Sequence, residues 1–311
     1  MIIRLGYVAI SKTLEGITSS STITLTNFNK DNDYHKLSQV ITSNLENLIK
    51  ILQFNVKNNI HFYRITSNLI PLATYKEISF DYIDKYQELY QKIGNLIKGS
   101  DMRVDMHPSQ YCILNSTRKE VIDASIDILT YHYNIMDAMN IANKLIILHI
   151  GSSTFGKKSS LTRFINNFNK LPKYIQECIA IENDDKVFTI EDCLELADTL
   201  NIPVVLDYHH FQCNKPSKEI EEYLPRILAT WKNIRPKMHF SSPKSKKEFR
   251  SHHDYIKADT FIEFLSILQK YNQDIDIMIE AKAKDEAMFR LIRELKYQTN
   301  YKFIDETSFE L

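Results

Sequence analysis

A (β/α)8 barrel is the fold this sequence predicts, and two observations carry the prediction. Eight short apolar runs alternate with eight stretches of helical periodicity, at a repeat of roughly 30–40 residues. Six successive runs also carry a histidine or a carboxylate near their C-terminal end. VDMH ends at His107, LIILHI carries His149 and IAIEN carries Glu182. PVVLDYHH carries Asp207 and His210, KMHF carries His239, and IDIMIE ends at Glu280. Such residues are costly at the buried end of a strand unless something uses them. Six in succession point to parallel strands aimed at one shared cluster, and a (β/α)8 barrel opens all its strand ends onto one face.

The elements follow in chain order. The first strand is read at 2–8, and a first loop at 10–33, rich in Ser, Thr and Asn, has the length of an active-site loop. A helix follows at 34–59, where Leu37, Ile41, Leu45, Leu48, Leu52 and Val56 fall at helical spacing. The remaining strands are expected at 60–65, 102–107, 144–150, 178–182, 203–208, 236–240 and 274–280. Most are continuously apolar rather than alternating, as strands covered on both faces are. The helices between and after them are expected at 80–98, 118–141, 161–177, 189–201, 218–233, 258–271 and 284–297. A doubly wound open sheet is the alternative architecture. The sequence holds no G-x-G-x-x-G and no G-x-x-x-x-G-K-[ST], and only six glycines, so no nucleotide cofactor is expected.

At 311 residues the chain suits one domain over 1–311, with 43% hydrophobic and 25% charged residues, as in a soluble globular protein. Lys+Arg and Asp+Glu are both 39, so nucleic-acid binding must rest on a local patch rather than on overall charge. Cys112, Cys178, Cys193 and Cys213 form no C-x-x-C pair, and Cys178 and Cys193 read as core fillers. MIIRLGYVAI begins directly as a strand, and no apolar stretch approaches 18 residues. The expectation is a cytoplasmic monomer with reduced thiols and no membrane association.

The candidate ligands are His107, His149, Glu182, Asp207, His210, His239, His252 and Glu280. They are too many for one Zn²⁺ or Mn²⁺, which takes roughly four to six ligands. Two or three divalent ions fit the count, with Glu182 as a bridge. Clustered metals suit hydrolysis of phosphate esters. His35, His61, His132, His209 and His253 are read as structural or solvated. Lys237 stands two residues before His239 and so shares its face. It reads either as a buried cation bonded to a carboxylate or as a carboxylated, anionic ligand.

At this point the segments RLGY (4–7), HPSQY (107–111), HIGS (149–152), IENDDK (181–186), LDYHHF (206–211), PKMHFSSPKS (236–245), RSHHDYI (250–256) and IEAKAKD (279–285) resemble the UV damage endonucleases. The resemblance runs over essentially the whole chain, and that family is similar to the endonuclease IV group in barrel and metal layout. It implies a cluster of up to three divalent ions, with manganese expected and zinc or cobalt as alternatives. It implies nicking of double-stranded DNA immediately 5′ of cyclobutane dimers, 6-4 photoproducts and abasic sites, leaving a 3′-hydroxyl. Carried over by motif, it implies the eight ligands named above, with Glu182, Lys237, His239 and Glu280 in catalysis. It favours the carboxylated reading of Lys237. It implies Gln110 and Tyr111 as lesion probes and Tyr7 at the substrate. Two positions depart from the pattern: Ile10–Ser11 stands where some relatives have a DNA-probing asparagine, and Asn68 where some have a histidine.

Basic residues gather on the expected C-terminal loops: Lys244, Lys246, Lys247 and Arg250 in one, Lys157, Lys158 and Arg163 in another. Two such stretches on the metal-bearing face suggest a phosphate track. Damaged bases stack poorly and leave the helix cheaply, so aromatic and amide probes select damage without reading sequence. The competing readings are an apurinic endonuclease without photoproduct activity, a metal-dependent sugar isomerase or epimerase, and a non-catalytic binding barrel.

Overall fold

Strand β1 (Ile2–Val8) opens a computed structural model that describes residues 1–31 and 34–311. Strands β2 (Phe62–Ile65), β3 (Arg103–Met106), β4 (Ile146–His149), β5 (Ile179–Glu182), β6 (Val204–Asp207), β7 (Lys237–Phe240) and β8 (Ile275–Ile279) follow. They pair in parallel in sequence order, and β1 joins both β8 and β2, which closes the barrel. Each lies inside its expected range: β1 fills it, and the others are shorter by one to three residues where pairing stops at the barrel rim. The β1–β2 seam needs Gly6: a Cβ there would lie 2.2 Å from the Phe62 carbonyl oxygen.

The helices wrap the barrel. They are α1 (Leu25–Asp31), α2 (Tyr34–Lys57), α3 (Gln87–Gly99), α4 (Lys119–Ala138), α5 (Lys157–Phe168), α6 (Lys173–Gln176), α7 (Ile190–Leu200), α8 (Tyr208–Cys213), α9 (Ile220–Thr230), α10 (Ala258–Gln269) and α11 (Lys284–Gln298). The buried side of α2 carries Leu37, Ile41, Leu45, Leu48 and Leu52, as the spacing requires, while Val56 is exposed at the end. Three differences from the sequence reading have local causes. The stretch read as one helix at 161–177 is two, α5 and α6, because Pro172 cannot continue a helix and instead precedes the next. The first loop holds α1, begun by Thr24, whose Oγ1 accepts from Asn27 N (3.2 Å); positions 32 and 33 of that loop lie outside the described residues. A C-terminal hairpin, β9 (Lys302–Phe303) and β10 (Ser308–Glu310), adds antiparallel to the first residues of β1, where β2 does not reach. No helix of the described residues is long and apolar enough to cross a membrane.

Inside the barrel, charged side chains stand beside a small apolar cluster of Ile147, Ala180 and Val205, where branched aliphatics alone are usual. At the N-terminal end Arg4 and Arg103 converge on Asp276, at 2.6 and 2.9 Å. Above them lies a layer of Arg64, Asp105 and Lys237, and above that the histidines and carboxylates of the strand ends.

Candidate metal centre

Strand register brings the ligand candidates together. His149 on β4 lies beside Glu182 on β5, and Asp207 on β6 lies beside His239 on β7. His107 and Glu280 are the first residues past β3 and β8. His210 is delivered by α8, which the sequence reading did not separate from its strand. Asp207 caps that helix, accepting from His210 N at 2.7 Å.

Glu182 is the hub. Its Oε2 lies 2.8 Å from His107 Nε2 and 3.7 Å from His149 Nε2. Its Oε1 lies 2.8 Å from His239 Nδ1 and 3.7 Å from His210 Nδ1. Glu280 stands 3.3 Å from His239 Nδ1. Three overlapping groups of potential ligands result: His107–His149–Glu182, Glu182–Asp207–His210, and Asp207–His239–Glu280, each with its ligand atoms within 4.8 Å of one another.

The donor set fits cations. His107 Nδ1 donates to the Pro108 carbonyl (2.9 Å), which leaves Nε2 as the nitrogen turned to Glu182. That nitrogen lies 2.8 Å from a carboxylate oxygen, a contact that either a ring proton or a cation shared by the two groups satisfies. Asp207 Oδ2 and His149 Nδ1 are buried with no hydrogen-bond partner among the described residues, a costly state unless a ligand takes them. Burial works against the Glu182 anion, but His239, His149 and His107 outweigh it and hold its carboxyl well below the usual range. Burial holds the His239 imidazole neutral, down to about 4. Asp207 is pushed up by burial, with Glu182 and Glu280 adding to the rise.

Two residues that the sequence reading passed over complete the centre. Arg64 on β2 reaches Glu280 Oε1 with Nη1 (2.6 Å), His239 Nε2 with Nη2 (2.7 Å) and Asp105 Oδ1 with Nε (3.3 Å). Asp105 on β3 accepts from Lys237 Nζ at 2.6 Å. All three groups of this layer are buried. Lys237 therefore shares the inward face of His239, as expected, but lies a layer deeper, with its amine on Asp105 and 5.1 Å from the Phe62 ring centre. The signal was present: FYRI and VDMH each hold a charge in an apolar run.

Other candidates are placed as follows. His252 makes an isolated bridge with Pro243, and its ring centre is 6.2 Å from that of His210, outside the three groups. Gln110 and Tyr111 are exposed on the β3–α4 loop, and Asn68 is exposed after β2. Lys244, Lys246 and Arg250 are exposed on the β7–α10 loop. Lys244 pairs with Glu248 (2.7 Å), Lys157 with Asp192 (2.7 Å), and Arg250 stands 3.9 Å from Asp185.

Tyr7 lies apart from the cluster. It is fully buried, its hydroxyl donates to Asn55 of α2 (2.7 Å), and its ring packs edge-on against Tyr63. Alternation puts it on the helix-facing side of β1 with Ile3 and Leu5, opposite the inward Arg4, with its hydroxyl turned to α2 rather than to the strand-end cluster. Ser11 anchors the first loop instead of probing outward: its hydroxyl donates to Asp285 Oδ2 (2.6 Å). Among the other histidines, His132 supports the centre from behind. Its Nε2 meets Ser67 Oγ (2.9 Å), and that hydroxyl donates to the His107 carbonyl (2.7 Å). His61 pairs with Asp305, and His253 accepts from Tyr255 N within its own turn. A cavity of about 740 Å³ opens at the opposite end of the barrel, lined by Arg4, Arg103, Lys144 and Trp231, and holds none of the ligand candidates.

Fold and site together define a (β/α)8 barrel with a candidate multi-metal centre at the C-terminal ends of its strands. Comparison with known proteins narrows this further. The family model for UV-endonuclease UvdE matches residues 3–310, and the chain belongs to that family of nucleases. The UV DNA damage endonuclease of Bacillus cereus (strain B4264) is 42% identical over 301 residues, which cover 95% of each chain. The crystal structure of SacUVDE superposes with a TM-score of 0.88 at 36% identity, covering 95% of this chain and 98% of that one. Endonuclease IV from Thermus thermophilus shares the fold, with a TM-score of 0.58 at 10% identity over 95% of this chain and 100% of its own.

Proposed function

We propose that this endonuclease nicks double-stranded DNA immediately 5′ of cyclobutane dimers, 6-4 photoproducts and abasic sites, leaving a 3′-hydroxyl, and that it does so as a monomer with two or three divalent ions, Mn²⁺ foremost. The observation that carries the reading is Glu182, whose two oxygens each face two imidazoles, as a carboxylate bridging two cations would. Family membership supports DNA with UV damage as the substrate. When bound, divalent ions at such a cluster supply Lewis-acid assistance to phosphodiester hydrolysis and offset charge on the attacked phosphate.

The protein's own residues hold this centre in shape. Asp207, His210, His239, Glu280 and the His107–His149 pair would bind the ions around Glu182, and His252 would complete the set from the β7–α10 loop. Arg64 is a positioning residue: it fixes His239 and Glu280 at once and supplies a fixed positive charge beside them. Lys237 acts through Asp105, where a bare ammonium is neutralised by the aspartate. Carboxylation, the other state implied by the family resemblance, turns the group into an anion and removes that pairing. Lys246 and Arg250 would meet phosphates along the rim, and Asn68 would offer an uncharged hydrogen bond there.

The test is nicking of three supercoiled plasmids: irradiated, depurinated and intact. Nicking of the first two and sparing of the third is the expected result. Cutting of the depurinated plasmid alone would leave an apurinic endonuclease. Lesion probing is expected to separate from chemistry. Gln110→Ala with Tyr111→Ala should weaken binding to irradiated duplex by about tenfold or more, as loss of base stacking does, while metal content per chain stays at the wild-type value. Unchanged preference for damaged over intact duplex would remove both residues from the probing role.

A further inference from the structure

The β4–α5 loop presents a ring for which the fold has no use. Phe155 is 80% exposed and sits at φ +63°, a backbone conformation that disfavours side chains beyond glycine and asparagine. The turn itself is closed by backbone, Gly156 N donating to the Ser153 carbonyl at 2.8 Å. Glycine at 155 would make the same turn without the strain. The chain thus keeps a large apolar ring, in a disfavoured conformation, where it buries little of its surface. Exposure alone would not single it out, since Tyr297 is 92% exposed, but Tyr297 lies in regular helix α11 on the outside of the barrel. Phe155 combines exposure with strain and stands six residues past His149 on the metal-bearing face.

The loop that carries it is braced against the loop that carries Gln110 and Tyr111. Asn115, fully buried, donates to the Ser152 carbonyl (2.7 Å) and accepts from Ser152 N (3.0 Å). Arg163 donates to the Asn115 carbonyl (2.8 Å) and to the Thr154 carbonyl (2.5 Å). Gly151, at φ +108°, lets the two loops meet, for a Cβ there would lie 2.8 Å from Asn115 Oδ1. Arg163 is therefore committed to this brace and is a poor candidate for a phosphate contact. The two loops leave the barrel at His107 and His149, whose ring centres are 5.1 Å apart. Two exposed aromatics, Tyr111 at 73% and Phe155, thus stand on one fixed platform beside the centre.

We propose that Phe155 is a second lesion probe and a specificity-determining residue, a ring that stacks on a nucleobase unstacked at damaged duplex DNA, in concert with Tyr111. The proposal rests on the DNA reading above. Aromatic stacking is tolerant of base identity and is strongest where a base has already left its neighbours, so it favours damage over intact duplex.

Phe155→Gly tests it, because that change removes the ring and relieves the backbone. The measurements are thermal midpoint, metal content, affinity for irradiated and intact duplex of one sequence, and the separate effects on KM and kcat. The expected result is an unchanged or higher midpoint, unchanged metal content, and binding to irradiated duplex weaker by about tenfold or more. KM should rise by more than kcat falls, and Phe155→Trp should retain the preference that Phe155→Gly loses. A lowered midpoint in Phe155→Gly would make the ring structural and overturn the proposal. So would a full preference for irradiated duplex in that variant, with the endonuclease reading left standing. Failure of the unaltered protein to nick irradiated DNA would instead remove the DNA reading, and this proposal with it.

Discussion

Replacing Glu182 by glutamine is expected to lower the rate of nicking on irradiated plasmid by at least about a hundredfold, consistent with loss of metal-based charge stabilisation. The substitution keeps the size of the side chain but not its symmetry. The carboxylate presents an acceptor to His107 and His149 on one side and to His239 and His210 on the other. The amide presents N–H donors to one of those sides and carries no charge with which to hold two cations close. Metal content per chain should fall, while DNA affinity should weaken less, because the proposed phosphate and stacking contacts are placed on the loops rather than at Glu182. Exhaustive chelation of the unaltered protein belongs to the same argument: nicking should stop, and Mn²⁺ should restore it best, since a mixed imidazole–carboxylate set suits a borderline ion. Near-normal turnover in Glu182→Gln would show that the residue bridges nothing. Full activity after verified metal loss would end the hydrolytic model.

The strand ends were legible in the sequence because His149, Glu182, Asp207 and His239 interrupt apolar runs at the point where a run stops. Barrel closure follows from the eight apolar runs, six of which end this way, and parallel register does the rest, setting His149 beside Glu182 and Asp207 beside His239. Arg64 and Asp105 show in the sequence only as charges in mid-strand, outside any motif; contact with each other, Lys237 and Glu280 across the barrel reveals their purpose. Tyr7 shows two signals in the sequence pulling apart. Its motif suggested a substrate contact, while simple alternation with Arg4 already turned it to the helices. Exposure of Phe155 and its left-handed backbone depend on a turn whose geometry no periodicity encodes. The basic loops were visible as composition, but only the structure shows that Lys244 and Lys157 pair at the surface with Glu248 and Asp192 and that Arg163 braces Asn115.

Asp105→Asn is expected to cost stability on a scale seen when one partner of a buried ion pair is lost, about 3–5 kcal/mol. For a chain of this size that is a fall in thermal midpoint of about 5–8 °C. The side chain is fully buried, with Lys237 Nζ at 2.6 Å and Arg64 Nε at 3.3 Å, and those two cations hold its carboxyl below the usual range against the effect of burial. Asparagine fills the same space but leaves the ammonium with no counter-charge in an interior that water does not reach. Lys237→Met added to Asp105→Leu should recover much of the loss, because an apolar pair of similar volume removes both desolvation costs together. Nicking should not return with it, since Arg64 then lacks the acceptor that fixes its Nε below His239 and Glu280. The same substitution separates the two states of Lys237. A carboxylated Lys237 places a negative charge beside Asp105, and Asp105→Asn then relieves repulsion instead of stranding a cation. A midpoint that holds or rises in Asp105→Asn would therefore reject the ammonium–aspartate pair and favour the carboxylated lysine.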